Sequence, residues 1–167
     1  MSGQKPERAF AIIGLGRFGE SLGLALANHK CRVLGIEQDE LVVQRLSPQF
    51  PCVVLDSTDE DALRKADIEA FDVVVVAIAG DFESNVLTTA AVNKVGAGEI
   101  ICLSATPYER EILLQVGADR VIEPDVEAGQ RLARELMGSE TEGQLPLGPE
   151  HVVSQLVVSE GVDGQRL

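Results

Sequence analysis

The residues with the clearest chemical potential are Gly14-Leu15-Gly16-Arg17-Phe18-Gly19, which lie between an apolar run, Phe10–Ile13, and a helical pattern over residues 18–28. A strand, a GxGxxG turn and a helix in that order make a cradle for phosphate. The first glycine permits the tight turn, the second lets a pyrophosphate approach the backbone, and the third lets helix and strand pack closely. Free N–H groups of the first helical turn then face the anion. Glu37 closes the next β-branched run, about 20 residues after the loop, where a carboxylate accepts hydrogen bonds from ribose hydroxyls and repels a 2′-phosphate. The expected ligand is therefore NAD(H) or an adenosine phosphate (ATP, ADP or AMP), and not NADP. Gln38 belongs to the same turn, and Asp39 serves equally well as the cap of the following helix.

Arg17 and Phe18 sit inside the loop. A guanidinium there adds a planar fork for phosphate, so Arg17 is expected to touch the pyrophosphate or a terminal phosphate; its ordinary alternative is a solvated loop arginine. Two further turns fall at strand ends, Asp56-Ser57-Thr58 and Ala77-Ile78-Ala79-Gly80. Ligands of open α/β sheets bind outside the carboxyl ends of the strands, so these turns are expected to flank the adenine and the phosphates. Ser57 or Thr58 could instead cap the helix beginning near Asp59, and Ser84 and Asn85 carry the same ambiguity.

The elements that must position these residues alternate along the chain. Strands are expected at 10–13, 32–37, 52–55, 72–78, 99–103 and 120–122. Helices fit between them at 18–28, 39–46, 59–66, 83–95, 107–115 and 125–137. Val73 to Val76 is apolar on both faces, as a central parallel strand must be. Six strands with helical crossovers predict a Rossmann-like, doubly wound α/β sheet of order 3-2-1-4-5-6, formed by residues 9–137. Val86, Leu87, Ala90 and Ala91 are expected to pack on that sheet. Residues 138–151, rich in Gly, Pro, Ser and Glu, read as a linker. One strand-like stretch, Val152–Val158, follows, with nothing in its own segment to pair with, as if 152–167 opened a second, truncated unit.

The chain has 167 residues and a net charge of −13, with only 14 Lys and Arg, which argues against a nucleic-acid surface. Cys31, Cys52 and Cys102 are far apart and embedded in apolar segments, which suits reduced core thiols and a cytoplasmic setting. No apolar run approaches the roughly 20 residues needed to span a bilayer, so no direct membrane insertion is expected.

GLGRFG, the acidic end of the second strand, Asp56-Ser57-Thr58-Asp59, VVVAI, and GADRVIEPD at Gly117–Asp125 occur together in one order. In this the chain resembles the RCK or KTN (TrkA-N) domain, the nucleotide-binding module of Trk and Ktr potassium-uptake regulators and of RCK-gated potassium channels. The resemblance implies a gating subunit rather than an enzyme. It also implies a homodimer, an octameric ring at full length, a membrane potassium channel or transporter as partner, and a place at the inner face of the cell membrane. Residues 152–167 would then begin the family's smaller C-terminal lobe. By the same resemblance Arg17 is the phosphate-contacting arginine and Glu37 the ribose carboxylate. Two positions depart from it: Leu103 stands where many members have Arg or Lys, and Asp125 replaces a Glu, so that Asp125 is only a weak candidate for a metal bridging the phosphates.

Two other readings belong to different classes. An NAD-dependent oxidoreductase lacking its substrate domain would need a proton-transfer group, and His29, His151 and Tyr108 are poorly placed for one. A small adenylate sensor of an unrelated transporter is the second.

Overall fold

The computed structural model describes residues 8–137 together with the backbone of two short strands, Leu145–Gly148 and His151–Val153. Six parallel strands form one sheet: β1 (Ala9–Ile13), β2 (Arg32–Glu37), β3 (Cys52–Val54), β4 (Val73–Val76), β5 (Glu99–Leu103) and β6 (Arg120–Ile122). Their spatial order is β3-β2-β1-β4-β5-β6, the expected doubly wound arrangement. The connecting helices are α1 (Arg17–Asn28), α2 (Glu40–Leu46), α3 (Glu60–Lys65), α4 (Phe82–Val95), α5 (Pro107–Val116) and α6 (Pro124–Leu136). A 3₁₀ turn at Ile68–Ala70, with Asp67 left-handed before it, leads into β4.

Side chains alternate across the sheet, and each face carries its own core. Ile12, Leu15, Val73 and Val75 pack with Leu46 and Phe50 on the face covered by α1 and α2. Ala11, Ile13, Val74 and Val76 pack with Leu63, Val92 and Leu113 on the face covered by α3, α4 and α5. All four valines of β4 are buried, as their unbroken apolar run requires. β1 pairs with β2 on one side and β4 on the other. The connections leaving β1 and β4 go to opposite faces, so a crevice opens at the carboxyl ends of these two strands.

Helix α4 corrects one expectation. Ala91 is buried and Val86 is packed against the core, but Leu87 is half exposed, because the buried face of this helix also carries Asn85, Thr88 and Thr89.

The chain divides into two compact units, Met1–Pro124 and Asp125–Leu167. Helix α6, which the periodicity assigns to the sheet domain, falls almost wholly in the second and buries none of its residues. Two short strands are described in the second unit, one of them within the stretch 138–151. Leu145–Gly148 forms β7, and β8 (His151–Val153) pairs with it antiparallel. The strand expected from Val152 thus pairs outside its own segment, with residues of the stretch read as a linker. Pro146 hides that partner in the sequence, because proline discourages a strand reading although a two-stranded ribbon, all edge, tolerates it. The part of the expected strand beyond Val153 lies outside the described residues.

Candidate functional site

The glycine loop turns sharply between β1 and α1. Gly14 has φ +91°, a conformation side chains disfavour, and a Cβ there would sit 3.0 Å from the Ala77 carbonyl oxygen. At Gly19 a Cβ would fall 2.0 Å from the Gly14 carbonyl oxygen, a backbone clash that no rotamer can relieve. Gly16 is the opposite case: it is exposed, and a Cβ would meet nothing within 4 Å. The three glycines therefore divide into turn, open approach and close helix–strand packing. Gly16 is the N-cap of α1 and offers no side chain to its first N–H groups, a helix start suited to an anion.

Glu37 lies beside this loop and is already engaged with it. Its Oε2 accepts from the Leu15 N–H at 2.8 Å, and its Oε1 accepts from Gln38 N–H at 2.8 Å and Asp39 N–H at 3.2 Å. Three backbone donors thus hold the carboxylate in one orientation at the end of β2, and Oε2, with a single donor, keeps a lone pair for a further one. Leu15 is the residue that sequence reasoning missed here, since a backbone N–H carries no sequence signal.

The two neighbouring turns are joined by side chains. Gln38 Nε2 donates to Asp56 Oδ1 at 3.1 Å, tying the end of β2 to the end of β3. The same oxygen accepts from the Thr58 hydroxyl at 2.7 Å and the Thr58 N–H at 3.0 Å. These bonds, the Thr58 hydroxyl foremost, hold the Asp56 carboxyl below its ordinary pKa and keep it an acceptor. Ser57 and Thr58 do not cap α3; Asp59 does, accepting from Asp61 and Ala62 N–H. Ser57 is instead buried, and its hydroxyl meets that of Thr88 on α4 at 2.9 Å. Asp39 caps α2, and Asp81 caps α4 with the Ser84 hydroxyl as a second donor to it.

At the end of β4, Ala77 is in the core and Ile78 half-buried, while Ala79 and Gly80 are exposed. Asn85 has a buried amide that donates to the Ile78 carbonyl at 3.1 Å and the Leu103 carbonyl at 2.9 Å. It therefore spans the ends of β4 and β5 where direct strand pairing has stopped. Arg17 is exposed at the mouth of the loop and makes no ion pair or hydrogen bond among the described residues. Phe18 turns inward and packs against the core beneath α1.

The remaining candidates lie elsewhere. His29 is the C-cap of α1, at the far end from the loop, and Tyr108 projects from α5 with 71% of its surface exposed. His151 and Asp125 belong to the second unit. Among the described residues no three of His, Cys, Asp and Glu gather as a metal site. The three cysteines are free thiols. Cys102 is buried, and burial pushes its pKa up to about 11.

A doubly wound sheet with a glycine turn between β1 and α1 and a carboxylate at the end of β2 defines a Rossmann-type domain with a nucleotide cleft. The chain belongs to the TrkA-N domain family, whose model matches residues 10–124. It is 30% identical over 162 residues to "Ktr system potassium uptake protein C" of Bacillus subtilis, covering 96% of this chain and 73% of that protein. Against "Ktr system potassium uptake protein A" of the same organism identity is 28% over 166 residues, covering 99% and 75%.

Solved structures share the fold at lower identity. The NAD(P)-binding domain of an exopolyphosphatase-related protein from Archaeoglobus fulgidus superposes with a TM-score of 0.71 at 23% identity, covering 78% of this chain and 98% of that one. GsuK bound to ADP gives 0.69 at 17% identity, covering 82% and 36%. The GsuK channel bound to NAD gives 0.65 at 17%, covering 82% and 24%.

Proposed function

We propose that this chain is the nucleotide-binding part of a cytosolic regulatory subunit of a potassium uptake system or channel, and that it is not an enzyme. The observation that carries the reading is the carboxylate of Glu37 held against the open glycine loop through the Leu15 N–H. Family membership and the names of the Ktr relatives supply the potassium context.

In this reading the ligand's phosphates lie over Gly14, Gly16 and Gly19 with Arg17 beside them. Its ribose hydroxyls donate to Glu37, and the turns at Gln38, Asp56–Thr58 and Ala77–Gly80 flank the base and the phosphates. ATP, ADP, AMP or NAD(H) fits such a site. NADP does not, because its 2′-phosphate would meet the oriented carboxylate of Glu37. Asp125 is retained only as a candidate ligand for a metal on the phosphates. The oxidoreductase alternative lacks support: the loops at the carboxyl ends of β1–β5 carry neither His nor Lys to move a proton.

The subunit works as a homodimer, within an octameric ring in the full-length protein, at the inner face of the cell membrane beneath its transporter. Ligand binding shifts the ring between arrangements only if its affinity for them differs. The test is calorimetric titration with adenine nucleotides while absorbance reports any hydride transfer. Binding without turnover is expected; turnover of a candidate hydride donor or acceptor would replace the regulator by the enzyme.

A further inference from the structure

We propose that the open edge of the sheet at β3 is a docking surface for an extended peptide segment of a partner protein, apolar at alternate positions and carrying one carboxylate. This surface shares no residue with the proposed nucleotide cleft. Among the described residues β3 pairs only with β2, at Gly35, Ile36 and Glu37. Gly35 N–H donates to the Pro51 carbonyl at 2.8 Å, and Leu55 N–H donates to the Glu37 carbonyl at 3.0 Å. In a parallel ladder alternate residues bond to the same neighbour, so Cys52 and Val54 turn their N–H and C=O groups away from β2. A further strand can add to those groups.

The two edges of the sheet are finished differently. At β6, Arg120 pairs with Glu99 at 3.5 Å and Arg110 donates to the Val121 carbonyl at 2.5 Å, so charge guards that edge. Residues 50–55 carry no charge, and Val54 is 53% exposed.

Beside β3 runs a groove of about 300 Å³, lined by Val53, Val54, Leu55, Ala62, Ala66 and Lys65. Val53, Leu55 and Ala66 rest on the core, which fixes the floor. Ala62 and Ala66 lie one turn apart on α3, and their small side chains leave the room. Val53 and Leu55 share a face of β3, so side chains i and i+2 of an added strand would enter the same groove. Lys65 is the one charged residue of that lining. Neither it nor the adjacent Arg64 has an ion pair or side-chain hydrogen bond among the described residues, while Glu60 of the same helix is held by Lys94. A free ammonium beside an apolar groove selects a carboxylate. A second copy of the chain fits less well, since it would bring a further net charge of −13 to the edge.

The experiment is titration of the isotope-labelled 167-residue chain with the peptide Ac-Thr-Val-Thr-Val-Thr-Asp-NH2, followed by amide chemical shifts. Shifts should concentrate at Cys52–Leu55, Ala62, Lys65 and Ala66. Replacing the peptide's Asp by Asn should weaken binding by about two- to fivefold, and in Lys65→Ala the two peptides should bind alike. Added salt should weaken the Asp peptide more than the Asn peptide. Val54→Pro removes an outward N–H and leaves the bonds to β2 in place, so it should abolish binding while the chain stays folded; Ala62→Glu, which fills the groove with a like charge, should do the same. Absence of shifts at millimolar peptide, shifts centred elsewhere, or equal affinity of the Asp and Asn peptides for wild type would overturn the proposal. So would a concentration-dependent dimer in sedimentation that Val54→Pro dissolves, because the edge would then belong to a second copy.

Discussion

Replacing Glu37 by Gln changes one oxygen to an NH₂ group and removes one charge. In the structure both oxygens are used, Oε2 by Leu15 N–H and Oε1 by the N–H groups of Gln38 and Asp39. The less costly orientation of the amide turns its nitrogen toward Leu15, so that donor faces donor. The loss is then one charge-assisted bond, about 1.5–3 kcal/mol, and Leu15 is 2% exposed, so water is poorly placed to replace it. At about 2–4 °C per kcal/mol for a chain of this size, the melting temperature should fall by roughly 3–12 °C. The ribose hydroxyls also lose an ionised acceptor, so nucleotide affinity should drop by about tenfold or more, because a hydrogen bond to a charged group is worth more than a neutral one. Differential scanning calorimetry without ligand, followed by NAD+ and ADP titrations, measures the two effects separately. A melting temperature within a degree of wild type together with unchanged affinity would refute the argument that this carboxylate organises the loop.

Arg17→Ala should weaken ADP and NAD+ more than AMP in the same titrations, since it removes the one free cation of the loop; equal losses would deny it a phosphate role. Gly19→Ala should unfold the chain or lower its stability by more than about 3 kcal/mol in denaturant melts, because the new methyl overlaps the Gly14 carbonyl and only backbone movement can relieve it. Asp59→Ala should cost about 1 kcal/mol by removing the cap of α3, with little effect on nucleotide affinity. The Cys102 thiol supplies a pH test. Its folded pKa, pushed up to about 11, exceeds that of the unfolded thiol, so the folded state binds more protons between the two values. Its stabilisation is complete below about pH 8.5 and is lost as pH rises through about 11. Denaturant melts of wild type should therefore lose stability relative to Cys102→Ser across that window, and parallel profiles would contradict the burial argument.

Much of this was legible in the residues alone. The unbroken valines of β4, the alternation of short apolar runs with helical patterns, and the glycine turn are local properties, and local spacing carries them. The same holds for the candidate pair of Gly14–Gly19 and Glu37, because an acidic strand end after a glycine loop is a pattern of sequence positions. Hydrophobic patterning went wrong where polar groups were hidden in the core. Asn85, Thr88 and Thr89 leave α4 without a clean apolar stripe, which is why apolar spacing alone places Leu87 inside. Pro146 masked β7 for the opposite reason, since it lowers strand propensity in a ribbon that is all edge.

The sequence by itself determined the doubly wound sheet and the type of ligand-binding turn, since both follow from periodicity and from glycine at set positions. Only the tertiary structure decided how the site is wired. Ser57 could have been a cap, but the approach of α4 gave it Thr88 as partner. Glu37 could have been a solvated carboxylate, but the return of the chain to β2 placed it within 2.8 Å of the Leu15 N–H. Leu103 and Ser104 are adjacent in sequence, yet one closes the core and the other holds a hydroxyl without a partner. Burial and hydrogen bonding between distant segments depend on which atoms the fold brings together, and residue type alone does not encode that.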